Sequence, residues 1–296
     1  MTSNASRRPL IAVVGQTASG KTGLAIELAK RHNGEIIAAD SRTVYKGMDI
    51  GTAKPSLEER AGVPHYGFDL VDVDQRYTAA QFKDYAKALI ADIHKRGKLP
   101  IIVGGTGLYV DGVLFDYSFG DKVDSAKRSQ LDNMSVEELT TYADKKNIVV
   151  DSQTAKNKRH LIRLIERGGV TERNTELHYD CLITGIEISK SQLRKRVEAR
   201  TEAMFRAGLR KEYNDLREKF DLTAPGFSGI GYQEFADWES EKISMSEVKR
   251  LIVKNTMSLA KRQATWFKRN KHVQWVSKPE DALALADAFL ENKGHE

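Results

Sequence analysis

The sequence lacks the features of a secreted, disulfide-bonded or membrane-spanning protein. Cys181 is the only cysteine among 296 residues, so an intramolecular disulfide is impossible and a cysteine-based zinc site is disfavoured. No apolar run approaches the ~20 residues that span a bilayer, and residues 1–9 lack the apolar stretch of a secretory signal. Internal repeats and low-complexity segments are also absent. We therefore expect a globular protein of the reducing cytoplasm that does not bind membranes.

The excess of positive charge is small, but basic residues are concentrated in two stretches. The formal net charge is +6, from 47 Lys and Arg residues against 41 Asp and Glu residues. Eight basic residues and no acidic one lie between Lys249 and Lys271, and eight basic and two acidic residues lie between Lys190 and Lys211. A polyanion responds to such local fields rather than to the net charge. A solvated helix face is the alternative interpretation of each stretch.

The first hundred residues alternate between predicted strands and helices. Short apolar runs rich in β-branched residues predict buried strands, and apolar residues at helical spacing predict the helices between them. The strands are predicted at 10–14, 35–39 and 99–103, and the helices at 23–32 and from a capping box at Thr78 to Gly97. This alternation is typical of a parallel α/β sheet.

Residues 121–180 interrupt the alternation, because they are charged, helix-prone and poor in strand signals. They include a capping box at Ser135 and Glu138 and a basic helical stretch at 156–167. The α/β pattern then resumes, with a strand at 181–188, helices from Ser189 to Ala207 and from Ser244 to about Asn270, a strand at 272–276 and a helix at 280–291. We predict a core made of residues 1–120 and 181–296 and a helical insertion domain at 121–180.

Residues 15–22 match the phosphate-binding pattern G-x-x-x-x-G-K-[ST] in full, between a predicted strand and a predicted helix. In such a loop the backbone N–H groups converge on phosphate oxygens, and the helix dipole adds to them. The Thr22 hydroxyl is also placed to coordinate Mg²⁺. The expected diphosphate contacts are Gly15, Thr17, Ala18, Ser19, Gly20, Lys21 and Thr22. The loop predicts a P-loop NTPase-like core, and by itself it favours an ATP- or GTP-using kinase or NTPase.

Further motifs follow the phosphate loop in fixed order. They are Asp40-Ser41, Asp49-Ile50-Gly51-Thr52-Ala53-Lys54-Pro55, Gly104-Gly105-Thr106-Gly107-Leu108-Tyr109, Ile230-Gly231-Tyr232-Gln233-Glu234 and Ala260-Lys261-Arg262-Gln263-Ala264-Thr265-Trp266-Phe267. Together they resemble the bacterial tRNA dimethylallyltransferase family, from about Leu10 to Trp275. The chain departs from the family pattern at Gln16, where proline is usual, and at Arg42-Thr43, where small or amide residues are usual.

The resemblance implies a specific reaction. In this family a dimethylallyl group passes from dimethylallyl diphosphate to N6 of adenosine 37, beside the anticodon, in tRNAs that read codons beginning with U. The phosphate loop would then bind a prenyl diphosphate rather than ATP, with Mg²⁺ as cofactor. By the family pattern Asp40 is the general base, Arg200 grips the diphosphate and Thr106 hydrogen-bonds its bridging oxygen. Alternatively, Asp40 is a magnesium ligand, Arg200 is a solvated helix residue and Thr106 is a plain turn residue.

The resemblance also implies that the protein contacts the anticodon stem-loop of tRNA. We expect the protein to be a monomer. The implied contacts are Asp40, Ser41, Arg42, Thr43, Thr106, Arg128, Arg159, Arg163, Gly231, Tyr232 and Gln233. The basic stretch adds Lys254 and Lys261, which lie seven residues apart on one helix and are suited to phosphate contacts. Tyr232 and Trp266 are candidates for stacking on bases, although we expect Trp266 to be a buried aromatic residue.

Three other functions remain as alternatives. An NTP-dependent kinase or ATPase would need a second nucleotide motif, and none is convincing in this sequence. An adenylate prenyltransferase would use the same chemistry on a free nucleotide, which needs neither the long basic helix nor the insertion. A non-catalytic RNA-binding protein with a relic loop would not need Lys21, Thr22 and Asp40 together.

Overall fold

The structure, a computed structural model, describes residues 8–119, 125–152, 154–169 and 174–292. Parts of the predicted insertion, 121–124 and 170–173, lie outside these ranges, as does the N-terminal stretch before Arg8. The chain divides into two compact units, one of Met1–Asp116 with Leu177–Glu296 and one of Tyr117–Glu176. The predicted boundaries at 120/121 and 180/181 are a few residues away. Within the described ranges, no helix has the combination of length and apolar character needed to cross a membrane.

One all-parallel sheet forms the centre of the first unit, in the strand order β3-β2-β4-β1-β5-β6. Its strands in the described residues are β1 (Pro9–Val14), β2 (Gly34–Ala38), β3 (His65–Tyr66), β4 (Leu99–Gly104), β5 (Asp180–Ile186) and β6 (Val273–Val276). Both faces of a parallel sheet are covered, so its inner strands are continuous apolar runs. Residues 10–14 of β1 are fully buried. The predicted parallel α/β sheet is therefore confirmed.

Helices cover the sheet and form the second unit. In the described residues they are α1 (Lys21–Arg31), α2 (Ala79–Lys95), α3 (Gly107–Leu114), α4 (Ser125–Asn133), α5 (Val136–Lys145), α6 (Lys158–Glu166), α7 (Lys190–Arg206), α8 (Leu209–Arg217), α9 (Phe235–Glu239), α10 (Met245–Phe267) and α11 (Pro279–Glu291). α2 begins at the predicted capping box of Thr78 and Gln81. The sequence patterns did not predict β3, α3, α8 or α9.

The sheet register brings three loops to one edge. Val14, the last residue of β1, lies opposite Gly104 of β4 and Gly185 of β5, and Ala38 of β2 lies opposite Val103. The chain therefore leaves three neighbouring strands side by side, into the phosphate loop, into Asp40 and into the loop 105–106. The carboxyl edge of a parallel sheet is where ligands bind in open α/β folds.

α10 reaches this edge because it packs along α7. Ala260 of α10 is fully buried against Leu193 and Val197 of α7. A separate apolar cluster lies beneath α8 and α9, where the Tyr213 and Phe235 rings stack with centroids 4.5 Å apart. The C-terminal half of α10 is thus held over the loops that follow β1 and β4.

The unit Tyr117–Glu176 has a core of its own. α5 begins at the predicted capping box of Ser135 and Glu138, and Asn157 caps α6. The residues buried in this core include Leu131, Leu139, Ala143, Ile148, Leu161, Ile162, Leu164 and Ile165. The apolar side of α6 faces this core, which leaves its basic residues on the outside.

Candidate active site

The phosphate loop has the backbone conformation that its glycines predict. Gly15 and Gly20 have φ values of +134° and +104°, in the region that favours glycine. Ala18 adopts a φ of +60°, which is strained for a residue with a side chain. Lys21 folds back over the loop, and its Nζ donates to the Gln16 carbonyl at 2.5 Å.

The Lys21 ammonium is poorly solvated. Burial lowers its pKa from 10.5 to about 7, against the opposing attraction of the Asp40 carboxylate and with a small contribution from the Arg200 guanidinium. The charged form of Lys21 therefore lacks sufficient negative charge around it in the free protein. A bound diphosphate would supply that charge.

Two arginines of α7 reach the same loop. The Arg200 guanidinium donates from Nη1 to Thr17 Oγ1 at 3.2 Å, and burial lowers its pKa while Asp40 opposes the shift. Arg196, one turn earlier, donates from Nη1 to the carbonyl of Ser19 at 2.9 Å and lies 3.4 Å from that of Ala18. The predicted pairing of these arginines on one helix face is confirmed, although Arg196 binds backbone carbonyls of the loop and Arg200 binds a side chain.

Thr106 is hydrogen-bonded to the two residues that flank Asp40, Ala39 and Ser41. The Thr106 N–H donates to the carbonyl of Ala39 at 3.3 Å, and Thr106 Oγ1 accepts the N–H of Ser41 at 3.0 Å. Asp40 Oδ1 accepts the N–H of Arg42 at 2.7 Å, in a turn of the Asx type. The carboxylate and the threonine hydroxyl are thus fixed on adjacent loops by backbone groups.

Two cavities lie on either side of Asp40. The phosphate-loop cavity, of about 1070 Å³, is lined by residues that include Lys21, Thr22, Lys54 and Arg196. The α10 cavity, of about 570 Å³, is lined by residues that include Thr106, Gln233, Asn255 and Trp266. The residues that line both are Thr17, Asp40, Thr52, Gly105, Arg200, Met204 and Gln263. The predicted base and the predicted diphosphate ligand Arg200 are therefore at the junction of the two cavities.

α10 closes over the junction through two glutamines. Gln263 Oε1 accepts the N–H of Thr17 at 2.7 Å, and Gln16 Nε2 donates to the carbonyl of Ala260 at 3.2 Å. The departure from the family pattern at Gln16 thus adds a bond between the phosphate loop and α10. A Cβ on Gly105 would lie 2.2 Å from Gln263 Nε2, so this position needs glycine for the close approach of α10.

Trp266 differs from its predicted place. It is half-buried rather than a core residue, it lines the α10 cavity, and its Nε1 donates to Asp111 Oδ2 at 2.7 Å. Its indole lies so close to α3 that a Cβ on Gly107 would be 2.2 Å from Trp266 Cδ1. The tryptophan therefore forms a fixed wall of the cavity.

The loop that follows Met48 is held by one carboxylate. Glu212 of α8 accepts the backbone N–H groups of residues 49–51 at 2.8–3.0 Å. The Lys54 Nζ bonds Asp49 Oδ1 at 2.7 Å and Asp69 Oδ1 at 2.6 Å. These contacts fix the backbone of a loop whose Thr52 lines both cavities.

Three of the predicted tRNA contacts are buried in this structure. Tyr232 is fully buried, its hydroxyl donates to Glu212 Oε1 at 2.6 Å, and its pKa is raised by burial and by that carboxylate. Gly231 is buried with a φ of +99° and packs against Gly51. Thr43 is also buried and lines only the phosphate-loop cavity. None of these side chains is available to RNA in this structure, whereas Ser41, Arg42 and Gln233 line the α10 cavity.

The predicted basic contacts lie in two separate regions. On α10, Lys254 and Lys261 are exposed and line the groove between α7 and α10. In the insertion unit, Arg128 and Arg163 both pair with the Glu166 carboxylate, at 2.9 and 3.1 Å, whereas Arg159 is exposed. Arg128 and Arg163 thus neutralise the Glu166 carboxylate, whose side chain is only 4% exposed.

The oxygen donors at the phosphate loop suit a magnesium ion that arrives with a diphosphate. Within the described ranges, no group of three or more His, Cys, Asp or Glu residues is arranged to hold a metal by itself. The Thr22 hydroxyl and the Asp40 carboxylate line the same cavity. Mg²⁺ commonly takes one or two protein oxygens and completes its shell with phosphate oxygens and water.

Several residues at the two cavities, or supporting the loops around them, were not assigned from the sequence. Gln263 lies inside a quoted motif, and Arg196 lies one turn before Arg200, so each had a signal. Met204, Glu212 and Asn255 had none, because their positions depend on how α7, α8 and α10 pack over the sheet edge.

Comparisons with known proteins agree with the motif order. A family model described as IPP transferase matches residues 43–270. The tRNA dimethylallyltransferase of Streptococcus suis is 41% identical over 280 residues, which cover 93% of this chain and 94% of that protein. The tRNA dimethylallyltransferase of Bacillus mycoides is 37% identical over 284 residues, with 91% and 90% covered.

Solved structures extend the likeness to the fold. The full-length tRNA isopentenylpyrophosphate transferase of Bacillus halodurans has a TM-score of 0.76 at 34% identity, over 97% of this chain and 98% of that one. A eukaryotic dimethylallyltransferase acting on tRNA has a TM-score of 0.82 at 26% identity, over 96% and 80%. Because the family model and these relatives match most of its length, the chain belongs to the IPP transferase family and has a P-loop NTPase-like α/β fold.

Proposed function

We propose that this protein transfers the dimethylallyl group of dimethylallyl diphosphate to N6 of adenosine 37 in tRNA. Its curated relatives are named for transfer of a dimethylallyl group to tRNA, which supports the reaction. The structural observation that carries the proposal is the meeting of two cavities at Asp40, with the phosphate loop and Lys21 on one side of the junction and the α10 cavity on the other. Such an arrangement suits a diphosphate on one side and an acceptor base on the other.

The diphosphate would occupy the phosphate-loop cavity. Burial depresses the pKa values of Lys21 and Arg200, and both cations gain a favourable environment when phosphate oxygens lie beside them. In the transition state they stabilise the negative charge that develops on the leaving diphosphate. Mg²⁺ held by Thr22 and the phosphates, with Asp40 nearby, would add Lewis-acid stabilisation of the same charge.

The dimethylallyl chain would lie at the junction. Met204 lines both cavities and offers an apolar, flexible contact beside Asp40. Thr106 Oγ1 accepts a hydrogen bond from the Ser41 N–H. The Thr106 hydroxyl donates only weakly to Ser41 Oγ, because the two oxygen atoms are 3.4 Å apart. The hydroxyl hydrogen is therefore able to turn to the bridging oxygen of the diphosphate.

The chemical step joins the two cavities. The adenine N6 attacks C1 of the dimethylallyl group, so the N6–C1 bond forms while the C1–O bond breaks. The diphosphate leaves with the electron pair of that bond, and one N6 proton passes to the Asp40 carboxylate. A carboxylate is a competent acceptor because the amine becomes acidic only as the new bond forms.

The tRNA would approach along α10. The exposed Lys254 and Lys261 suit phosphates of an anticodon stem, and the anticodon loop can splay a base into the α10 cavity. The proposal includes a monomer that acts in the cytoplasm. Sedimentation with and without tRNA tests the monomer, with a one-to-one complex as the expected result.

A product assay tests the proposal. The protein is mixed with unmodified tRNA, dimethylallyl diphosphate and Mg²⁺, and the tRNA is digested to nucleosides for mass analysis. We expect N6-dimethylallyladenosine from tRNA and no product when AMP is supplied at the same adenosine concentration. ATP turnover without a prenylated nucleoside would support a kinase or ATPase, and prenylated AMP alone would support an adenylate prenyltransferase.

A further inference from the structure

Glu234 is a buried carboxylate that contacts two residues of the α10 cavity wall, Gln233 and Asn255. It is 5% exposed, and its Oε2 accepts the N–H of Gly231 at 2.8 Å. Its Oε1 accepts two side-chain amides, Gln233 Nε2 at 3.1 Å and Asn255 Nδ2 at 2.7 Å. The carboxylate thus gathers three N–H donors from two different elements.

These bonds fix which way the two amides point. An ionised carboxylate only accepts hydrogen bonds, so each amide must turn its NH₂ group towards Glu234. The carbonyl oxygens of Gln233 and Asn255 are then directed away from Glu234. Both residues line the α10 cavity. Two residues of the cavity wall therefore carry amide oxygens that Glu234 does not engage.

We propose that Gln233 and Asn255, oriented by Glu234, select an acceptor base that carries an exocyclic amine rather than a carbonyl oxygen. This inference rests on the proposed function, because it concerns the base that enters the α10 cavity. Glu234 acts through the two amides and is a positioning residue. Gln233 and Asn255 are the specificity-determining residues.

The chemistry of the amine explains why acceptors are useful there. The adenine N6 group has two hydrogens, of which one passes to Asp40 during transfer. An amide oxygen can hold the other and keep the amine turned towards the junction. A 6-oxopurine would set its carbonyl lone pairs against the amide oxygens, which leaves these acceptors without a hydrogen bond once the base covers them.

An arginine donor beside the two amides would favour a base with a carbonyl oxygen. The three arginines that line the α10 cavity are directed elsewhere. Arg42 donates from Nη1 to Ser228 Oγ at 3.0 Å, and Arg200 is directed at Thr17 Oγ1 in the phosphate loop. Arg262 is exposed, which suits a phosphate contact better than a base contact. None of these three arginines therefore opposes the choice that the amide oxygens make between an amine and a carbonyl oxygen.

Binding of two matched RNAs tests the inference. Anticodon stem-loops that differ only in adenosine or inosine at the acceptor position are titrated without dimethylallyl diphosphate. We expect the protein to bind the adenosine RNA about tenfold more tightly, the effect of one acceptor that the bound base covers without a hydrogen bond. Gln233→Ala with Asn255→Ala should bring the two dissociation constants to within about twofold, and Glu234→Gln should lower the ratio severalfold.

The controls separate this inference from structural effects and from the proposed function. Gln233 and Asn255 are not buried, so their double variant is suitable if Glu234→Gln fails to fold. Lys254→Ala, one residue from Asn255, should weaken both RNAs by the same factor and keep their ratio. An unchanged ratio in the double variant, or no preference in the unaltered protein, overturns the inference. Absence of prenyl transfer to the adenosine RNA by the unaltered protein would instead overturn the proposed function.

Discussion

The depressed pKa of Lys21 predicts a specific pH dependence for binding of the prenyl diphosphate. In the free protein this pKa is about 7, so the side chain loses its proton as the pH rises through neutrality. A bound diphosphate stabilises the ammonium and returns its pKa towards the ordinary value of 10.5. Binding above pH 7 must therefore take up a proton.

The size of the effect follows from this linkage. Between pH 7 and pH 9 the dissociation constant of dimethylallyl diphosphate should rise about fiftyfold in total, about fivefold in the first pH unit and nearly tenfold in the second. Because the Lys21 pKa is lower in the free protein than in the complex, raising the pH weakens binding, and binding is strongest below pH 7. Calorimetry in buffers of different ionisation enthalpy measures both the dissociation constant and the proton uptake.

Two variants make this prediction specific to Lys21. Lys21→Met should bind weakly and with little dependence on pH. Asp40→Asn removes a carboxylate that raises the Lys21 pKa, so the loss of affinity should begin at lower pH. A dissociation constant of the unaltered protein that stays constant from pH 7 to pH 9, with no proton uptake, would refute the reasoning.

Three further predictions concern packing and RNA. Gly107→Ala places a Cβ 2.2 Å from an indole carbon of Trp266 and should lower the free energy of unfolding by about 1–3 kcal/mol. Gly23→Ala is the control, because the space around Gly23 is open, and it should not lower the free energy of unfolding. Urea titration compares the two variants. Tyr232→Phe removes a hydrogen bond to a carboxylate and should lower the free energy of unfolding by about 1.5–3 kcal/mol, with tRNA affinity unchanged. Loss of tRNA affinity without loss of stability would instead identify Tyr232 as an RNA contact. Replacing Lys254 and Lys261 with Gln should reduce the slope of log K against log salt by about 0.7–0.9 per lysine, and an unchanged slope would exclude them from the phosphate track.

Local patterns were sufficient for the sheet and for most helices. The central strand is apolar throughout because both its faces are covered, and this signal lies within residues 10–14. The capping boxes at Thr78 and Ser135 marked the starts of α2 and α5 to the residue. By contrast, β3 has two residues and pairs with β2 at the edge of the sheet, so no local pattern distinguishes it from a loop.

The site was predicted where function depends on backbone loops and missed where it depends on packing between helices. The phosphate loop, Asp40 and Thr106 follow strand ends, so the parallel sheet alone brings them to one edge. The family pattern places Tyr232 among the tRNA contacts, yet its side chain is buried under the loop 49–51. Nothing local to the sequence indicates that Glu212 or Asn255 reaches the same region.

The most direct test of the account is the effect of Asp40→Asn on transfer and on binding, measured on the same preparation. The amide oxygen of the substituted side chain can still accept the N–H of Arg42, so the turn should persist while the base is lost. We predict that the single-turnover rate of prenyl transfer to tRNA falls by about a hundredfold or more, while the dissociation constant of tRNA changes by less than about threefold. A variant that retains the full transfer rate, or that loses tRNA binding as strongly as it loses transfer, would contradict the assignment of Asp40 as the base at the junction.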